Sequence, residues 1–258
     1  MIDLHTHLLP GVDDGSPSIE KSLPVLERFA AEGVEVVVCT PHLDASAAAK
    51  APRARNEQIL ADLTAAAAAL PRVPRLELGF EIMLDEPGVA LNLEGLTLGR
   101  SKAVLVEFPR TSIPAGGVAE LFRLRMSGVV PVLAHPERYW GCTIEMVREW
   151  KRVGAVIQLD AVMLLNPSPS GRLARSLIAE GLVDCIASDN HADGRSQVVA
   201  REWLAEIGGD EQGVLMTQQN PSRLLTDREL LPVPPLPRQR GMFARLRELV
   251  RRRAGTAR

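Results

Sequence analysis

Short apolar segments recur along the chain, and each is followed by a turn and then by a stretch with helical periodicity. Apolar segments of this kind are typical of strands that are covered on their outer side by helices. The predicted strands are Ile2–Leu4, Val34–Cys39, Leu76–Glu81, Ala103–Glu107, Val129–Ala134, Ala155–Leu159 and Val183–Ala187.

Between the strands, apolar residues fall on one helical face. The predicted helices include Ile19–Ala31, Arg55–Leu70, Val118–Met126, Ile144–Arg152 and Leu173–Ala179. Ser16 and Pro17 favour a helix start, and Pro24 predicts a kink. Glycines mark the expected helix ends at Gly33, Gly128, Gly154 and Gly181. The alternation indicates an α/β fold with a parallel sheet, either a barrel or a doubly wound sheet.

Composition limits the classes of protein that the chain can belong to. Of its 258 residues 46% are apolar, enough for a folded core, and no apolar run approaches the roughly 18 residues of a membrane span. The first residues lack the basic and apolar segments of a secretory signal. Three scattered cysteines argue against a disulfide framework. Together these features predict a cytoplasmic protein.

Charge is unevenly distributed between the body of the chain and its end. From Arg238 onward there are eight arginines and one acid, so this tail carries +7 and the body −9 of the net −2. An acidic body disfavours nucleic-acid binding and suits metal binding. We predict a domain over residues 1–231, then a proline-rich linker and a basic amphipathic helix within 232–258. That helix could contact an anionic membrane surface or a partner, or simply dock on the body or fray in solvent.

All five histidines follow predicted strands. His5 and His7 come directly after the first strand, and alternate residues of an extended chain face the same side, so both imidazoles can reach one metal ion. His42 follows the second strand, His135 the fifth and His191 the last. Because the carboxyl ends of strands form the active-site face of a parallel barrel, we expect the five imidazoles to converge.

Carboxylates show the same placement. Glu81 and Glu107 close predicted strands, Asp189 follows the last strand, and Asp13 and Asp14 lie in the loop after the first. An acid on an apolar strand is costly to bury unless it is paired or bound to a metal. The alternative for Glu107 is a salt bridge to a nearby arginine. Mixed imidazole and carboxylate ligands suit manganese, iron, zinc or cobalt, and the absence of cysteine among them argues against a structural zinc site.

Arginines follow the presumed ligands. Arg138 and Arg195 come shortly after two of the histidines, and Arg110, a weaker candidate, comes just after Glu107. Guanidinium groups match phosphate oxygens, which favours a phosphate ester as substrate, although each arginine could instead pair with an acid.

Cysteine-dependent phosphatase chemistry can be set aside. Cys142 and Arg148 have the spacing of such enzymes. The five residues between them lack glycine, include a glutamate and are typical of a helix start, whereas that chemistry requires a loop of backbone N–H groups around the phosphate.

With these residues the chain resembles a known family, the PHP (polymerase and histidinol phosphatase) superfamily, and within it the bacterial protein-tyrosine phosphatases of capsule and exopolysaccharide operons. The resemblance covers roughly residues 1–226. The matching segments are Asp3–Gly15, Thr40–His42, Glu81, Glu107–Pro109, His135–Tyr139, Ser188–His191 and Asn220–Pro221. It implies a distorted (β/α)7 barrel with three divalent metal ions, usually manganese, with iron, zinc, cobalt and magnesium as alternatives.

The resemblance also implies a ligand set at these positions. The three sets are His5, His7, Glu81 and Asp189; Glu81, Glu107 and His135; and Asp14, His42 and His191. The tail from Pro232 on departs from the family pattern, so the resemblance implies nothing about its role.

A mechanism follows as a hypothesis. Metal-activated water would attack phosphorus, and Asp13 or Glu137 would orient ligand imidazoles. Residues expected to act in catalysis are Arg138 and Arg195 as charge-neutralising groups and Asp189 or His191 as a proton donor. A phenolate leaving group, with a pKa of about 10, needs little protonation.

By resemblance, the substrate is the phosphotyrosine-bearing tail of a membrane-bound autokinase that regulates polysaccharide export, and the basic helix would keep the enzyme near the inner membrane. Two alternatives stay open. One is a small phosphomonoester such as histidinol phosphate, or a phosphodiester. The other is a non-catalytic scaffold that binds phosphotyrosine. The sequence leaves the oligomeric state open, and an oligomer is one of the alternatives.

Overall fold

Parallel strands and helices alternate along the chain in the computed structural model, which describes residues 1–91 and 95–236. The strands are β1 (Ile2–Thr6), β2 (Val36–Cys39), β3 (His42–Asp44), β4 (Arg75–Leu78), β5 (Glu81–Met83), β6 (Ala103–Glu107), β7 (Val130–Ala134), β8 (Val156–Asp160) and β9 (Cys185–Ala187). The helices are α1 (Ile19–Ala31), α2 (Arg53–Ala67), α3 (Gly117–Met126), α4 (Ile144–Arg152), α5 (Pro169–Ala179), α6 (Val198–Glu206), α7 (Asp210–Val214) and α8 (Asn220–Leu225).

The strands form a distorted barrel with seven strand positions. One sheet has the order β1-β2-β4 and the other β3-β5-β6-β7-β8-β9, with every pair parallel. Strand β3 continues the position of β2, and β5 continues that of β4. The ring closes between β1 and the residues after β9, where Asp189 N–H donates to His5 O at 3.0 Å and His7 N–H donates to Asn190 O at 2.8 Å. The predicted (β/α)7 barrel is confirmed.

One predicted strand is wrong in its detail. The segment predicted as Leu76–Glu81 is broken into β4 and β5, so Glu81 opens a strand instead of closing one. The break lies at Gly79, where an added Cβ atom would lie 2.8 Å from Leu98 Cδ2, so Leu98 packs closely against the chain at this point. Glu81 stays at the carboxyl end of the barrel because β5 pairs with β3, with Glu81 opposite His42.

Other boundaries differ by a few residues. Helices α1 and α4 have their predicted bounds, and Pro24 lies inside α1, which continues to Ala31. The sequence patterns did not single out α6, α7 and α8, which follow β9 together with the π-helical turn Leu215–Gln219. Leu224 of α8 packs against the apolar interior of the barrel.

The barrel interior is apolar at one end and polar at the other. Its apolar part is a cluster of buried residues from most of the strand positions, among them Leu4, Val38, Leu105 and Val132. Because side chains alternate along a strand, the residue two positions beyond Leu105, Glu107, also faces inward, at the carboxyl end. A second cluster packs α3 to α6 on the outside of the ring, and a third packs α1 and α2.

The last described residues pack on the body of the protein. Val233 is buried, Leu236 N–H donates to Ala179 O at 3.2 Å, and Asn220 binds both backbone groups of Leu231 through its side chain. Ala179 ends α5, just before β9 begins, so the described chain ends at the face opposite the carboxyl ends of the strands. The predicted basic helix lies outside the described residues, and the domain boundary stays a prediction. In the described part of the chain no helix is long and apolar enough to cross a membrane.

Candidate metal centre

The five imidazoles and four of the predicted carboxylates converge at the carboxyl end of the barrel. A pocket of about 340 Å³ opens there to solvent. Its lining residues are Asp14, His42, Glu81, Met83, Glu107, Pro109, Arg110, Thr111, His135, Asp189 and His191. His5 and His7 lie beneath it, fully buried. Every residue predicted as a metal ligand is therefore in this one cluster.

Hydrogen bonds fix how His5 and His7 present their nitrogens. The amide of Gln158 donates to Leu159 O at 2.7 Å, so its oxygen faces His5 Nδ1, 3.0 Å away. His7 Nδ1 lies 2.7 Å from Asp13 Oδ2. Both Nδ1 atoms therefore act as donors, which leaves both Nε2 atoms directed into the site.

The two Nε2 atoms form a donor group that fits a cation. They lie 3.1 Å apart, and each is 3.3–3.4 Å from Glu81 Oε2 and 3.3 Å from Asp189 Oδ1. Four donors bound tetrahedrally at about 2.0–2.2 Å would lie roughly 3.3–3.6 Å apart. Two imidazole lone pairs facing each other between two carboxylates are repulsive unless a proton or a metal ion lies between them. The donor set therefore fits a divalent ion.

Electrostatics lead to the same conclusion. Burial opposes protonation of His5 and His7. Glu81 and Asp189 outweigh it for both imidazoles, and Asp13 adds to them at His7, so the pKa of each imidazole is raised. Burial alone would raise the pKa of Glu81, yet the surrounding imidazoles hold that pKa well below its usual range. The cluster therefore attracts positive charge, and a bound divalent ion would take the place of these protons.

Glu81 is shared with a second group. Its Oε1 lies 2.7 Å from His135 Nε2, and its Oε2 lies 3.0 Å from His42 Nδ1. Glu107 lies 3.8 Å from His135 and 3.9 Å from His42. Burial and the charge of Glu81 raise the pKa of Glu107 to about 7, and burial lowers the pKa of His135 to about 4. A buried acid beside another acid needs a nearby cation to be ionised.

The third group is the most exposed. Asp14 Oδ1 lies 3.3 Å from His42 Nε2 and 3.6 Å from His191 Nε2, and His7 lies close enough to join them. His191 Nδ1 faces Asp189 O at 2.9 Å, which leaves Nε2 free for a ligand. The loop with Asp14 lies tightly over β1, since a Cβ atom at Gly15 would be 2.1 Å from His7 O. His42 thus contacts two groups through its two nitrogens, whereas the resemblance implied only one.

Two site residues have left-handed backbone conformations. His135 has φ 32° and Asp189 has φ 48°. Such conformations cost about 1–3 kcal/mol for a residue other than glycine. His135 directly follows β7, whose residues Val132 and Ala134 face the interior. Strict alternation would therefore point His135 outward, and the left-handed turn redirects its side chain to the interior.

The predicted arginines do not all reach the pocket. Arg138 pairs with Asp160 and lies 2.6 Å from Asp189 Oδ2, and Arg195 lies 3.2 Å from the same oxygen. Both contact the site through Asp189, and neither lines the pocket. Arg110 lines it and is exposed, and its guanidinium makes no ion pair with any residue that the structure describes.

Sequence reasoning missed the buried polar residues that support the site. Gln158 holds His5, and Asp160 N–H donates to Glu137 Oε1 at 2.8 Å while its carboxylate holds Arg138. Both lie on β8 two positions apart, so they share its inward face. Two polar residues at this spacing in an apolar strand were the available signal. Glu137 is buried with its pKa raised to about 8, and within the described residues its carboxylate forms no hydrogen bond or ion pair with a site imidazole.

Comparisons with known proteins identify the family of the chain. Residues 1–226 match the family described as Capsular polysaccharide synthesis, CpsB/CapC. The tyrosine-protein phosphatase YwqE of Bacillus subtilis (strain 168) is 25% identical over 93% of this chain and 97% of its own length. The tyrosine-protein phosphatase CpsB of Streptococcus pneumoniae is 27% identical over 88% of this chain and 99% of its own length.

Solved structures share the fold. A structure from the study of YwqE and CpsB, described as unique metal-dependent tyrosine phosphatases, superposes with a TM-score of 0.80 at 24% identity, covering 93% of this chain and all of that one. A lactonase engineered for organophosphate hydrolysis has a TM-score of 0.58 at 17% identity over 87% of this chain and 94% of its own. On the family match over most of its length, the chain belongs to the CpsB/CapC family of capsular polysaccharide synthesis.

Proposed function

We propose that this chain is a metal-dependent protein-tyrosine phosphatase of capsular polysaccharide synthesis. The observation that carries the proposal is the convergence of five imidazoles with Asp14, Glu81, Glu107 and Asp189 at one open pocket. It is supported by the family match and by relatives that are named tyrosine-protein phosphatases.

We assign the ligands to three groups, each able to hold one divalent ion, with manganese as the proposed metal. The groups are His5, His7, Glu81 and Asp189; Glu81, Glu107 and His135; and Asp14, His42 and His191. Divalent ions bound at such a site would activate water for attack on phosphorus and neutralise charge on the phosphate oxygens.

The chain's own residues set up this chemistry. Gln158 and Asp13 orient the two buried imidazoles so that Nε2 faces the site. Arg138 and Arg195 hold Asp189 in its strained conformation and add positive charge beside it. We retain both arginines as groups that neutralise charge on the phosphate, acting from the side of the site where Asp189 lies.

Proton donation is not required for a phenolate leaving group. Asp189 has its pKa held well below the usual range, because His5, His7 and Arg138 outweigh its burial. Burial and His7 lower the pKa of His191. In these surroundings both residues are poor proton donors at neutral pH, so we propose that they serve as ligands and that the phenolate leaves unprotonated.

The proposed substrate is the phosphotyrosine-bearing tail of a capsule-synthesis autokinase, met at the cytoplasmic face of the membrane. A membrane contact through the basic tail is part of this proposal. Deleting residues 237–258, rather than a segment that includes the buried Val233, tests that contact. Vesicle binding that is unchanged by the deletion would contradict it.

The deciding experiment compares phosphate release from a phosphotyrosine peptide and from histidinol phosphate, with Mn²⁺ and with chelator. Metal-dependent turnover of the peptide alone supports the proposal, and turnover of histidinol phosphate alone overturns the substrate. Tight peptide binding without phosphate release would indicate the scaffold instead.

The His42→Ala variant is the companion to that experiment. His42 is 42% exposed, so the fold should survive its loss while turnover is abolished. Gln58→Ala, at an exposed helical residue outside the pocket lining, serves as the control and should keep full activity.

A further inference from the structure

The loop between β6 and α3 separates two neighbouring openings. On one side, Pro109, Arg110 and Thr111 form part of the wall of the metal pocket. On the other, Pro109, Ser112 and Pro114 line a second cleft of about 350 Å³. Because Pro109 belongs to both, a peptide with one side chain in the metal pocket has its next residues within reach of the cleft.

The cleft has a preformed apolar floor. Leu84, Pro87 and Phe108 line it together with the two prolines of the loop. The Phe108 ring is buried against Tyr139 and Trp150, with ring centroids 5.9 and 5.7 Å away.

Its shape is set by the loop backbone. The backbone of Gly117 lies directly against the Phe108 ring, since a Cβ atom there would be 2.9 Å from Cζ. Tyr139 fixes the start of the loop, because its hydroxyl accepts from Phe108 N–H at 3.1 Å and donates to Ala134 O at 2.6 Å. The cleft therefore exists without a ligand.

The cleft has two carboxylates at its edge. Asp85 and Glu120 lie at the edge of the cleft. Asp85 accepts from the hydroxyl of Ser46, and Glu120 pairs with Arg123, so both carboxylates are held in place. The exposed guanidinium of Arg110 belongs instead to the metal pocket. The cleft accordingly suits an uncharged apolar side chain and repels an acidic one.

We propose that this cleft is a specificity subsite that binds an apolar side chain close in sequence to the phosphotyrosine of the substrate peptide and rejects an acidic side chain there. The inference rests on the proposed function. Burial of a side chain of the size of leucine gives roughly a tenfold preference over alanine in kcat/KM.

The test uses phosphotyrosine peptides in which one residue within about three positions of the phosphotyrosine is Leu, Ala or Asp, with para-nitrophenyl phosphate as the substrate without a peptide. At one position the wild-type protein should favour Leu over Ala roughly tenfold, and Asp should be poorest. No preference at any position would overturn the proposal.

Variants connect the preference to the cleft. Gly116 lines it with ordinary φ −85° and no atom within 4 Å of an added Cβ. Gly116→Leu should fill the cleft and abolish the Leu preference while para-nitrophenyl phosphate turnover is kept. Ala119→Leu, on the exposed face of α3, is the matched control. A preference that survives Gly116→Leu would refute the assignment.

A second variant keeps the proposal testable if Gly116→Leu fails to fold. Ser112→Arg places a cation at the cleft and should raise kcat/KM for the Asp peptide relative to the Leu peptide, and an unchanged ratio would refute the subsite. Wild-type protein that turns over neither the peptides nor para-nitrophenyl phosphate would instead refute the proposed function.

Discussion

Replacing Gln158 by leucine should weaken metal binding while the barrel stays folded. Gln158 is fully buried on β8, and its side-chain oxygen lies 3.0 Å from His5 Nδ1. Leucine is similar in size but offers no acceptor. When His5 Nε2 binds a metal ion, Nδ1 must carry the proton, and in the variant that buried N–H has no partner.

The size of the loss in metal affinity follows from the difference between the metal-free and the metal-bound protein. Without metal, His5 can move its proton to Nε2, where Glu81 and Asp189 lie 3.3 Å away, so little is lost. With metal bound, His5 cannot move this proton, and an unsatisfied buried donor costs about 1–3 kcal/mol. At about 1.4 kcal/mol for each factor of ten, the dissociation constant should rise roughly 5- to 150-fold. This range agrees with the 10- to 100-fold effects typical of residues that orient metal-bound histidines.

The assay is calorimetric titration of metal-free protein with Mn²⁺, with chemical denaturation to confirm folding. Gln158→Glu restores an acceptor and should bind Mn²⁺ at least as tightly as the wild type. Gln212→Leu is the matched control, because Gln212 is also buried but its amide donates to backbone oxygens near the end of the described chain. Affinity of Gln158→Leu within twofold of wild type, or a Glu variant as weak as the Leu variant, would refute the reasoning.

Three further predictions follow from the site and the core. Mn²⁺ affinity should rise with pH, because the raised pKa values of His5 and His7 mean that protons bound at lower pH must leave when the metal enters; titrations between about pH 6 and 8 that show no such rise would contradict this. Cys142→Ser should keep activity within about twofold, since burial raises the pKa of this thiol to about 12 and leaves almost no thiolate; phosphate release checks it, and a large loss would reopen the cysteine mechanism. Trp150→Ala should destabilise the fold by about 3–5 kcal/mol, because its fully buried ring packs on Phe108; denaturation in urea measures the loss, and a change below about 1 kcal/mol would contradict it.

The sequence predicted which histidines and carboxylates lie together, because their positions depend on a simple rule. Side chains that follow parallel strands meet at one edge of a barrel, whatever the detailed turns. His5 lies near the end of β1, His135 directly follows β7, and His191 lies in the loop after β9. The structure brings all three to one pocket region. The same rule located Glu107 at the end of β6.

The rule did not predict how the ligands are shared among the groups. That depends on side-chain direction, which local distortions set. The register of β1 against β2 shifts between Asp3 and Thr6, and such bulges turn side chains to the other face of a sheet. Ile2 and Leu4 lie in the interior core and His5 points into the site above them, an arrangement that strict alternation would forbid.

Arg138 and Arg195 show that spacing in the sequence does not predict which group a side chain contacts. Arg138 and Arg195 closely follow histidines predicted as metal ligands, and this placement suggested direct contact with phosphate. The structure gives both of them one oxygen of Asp189 instead. Asp189 adopts a conformation that disfavours any side chain, and its other oxygen faces His5 and His7. A carboxylate held by two guanidinium groups on one oxygen can keep the other directed at a metal despite that strain. The arginines therefore contribute to the site first through the geometry of Asp189, and any contact with phosphate must be made beside that pairing.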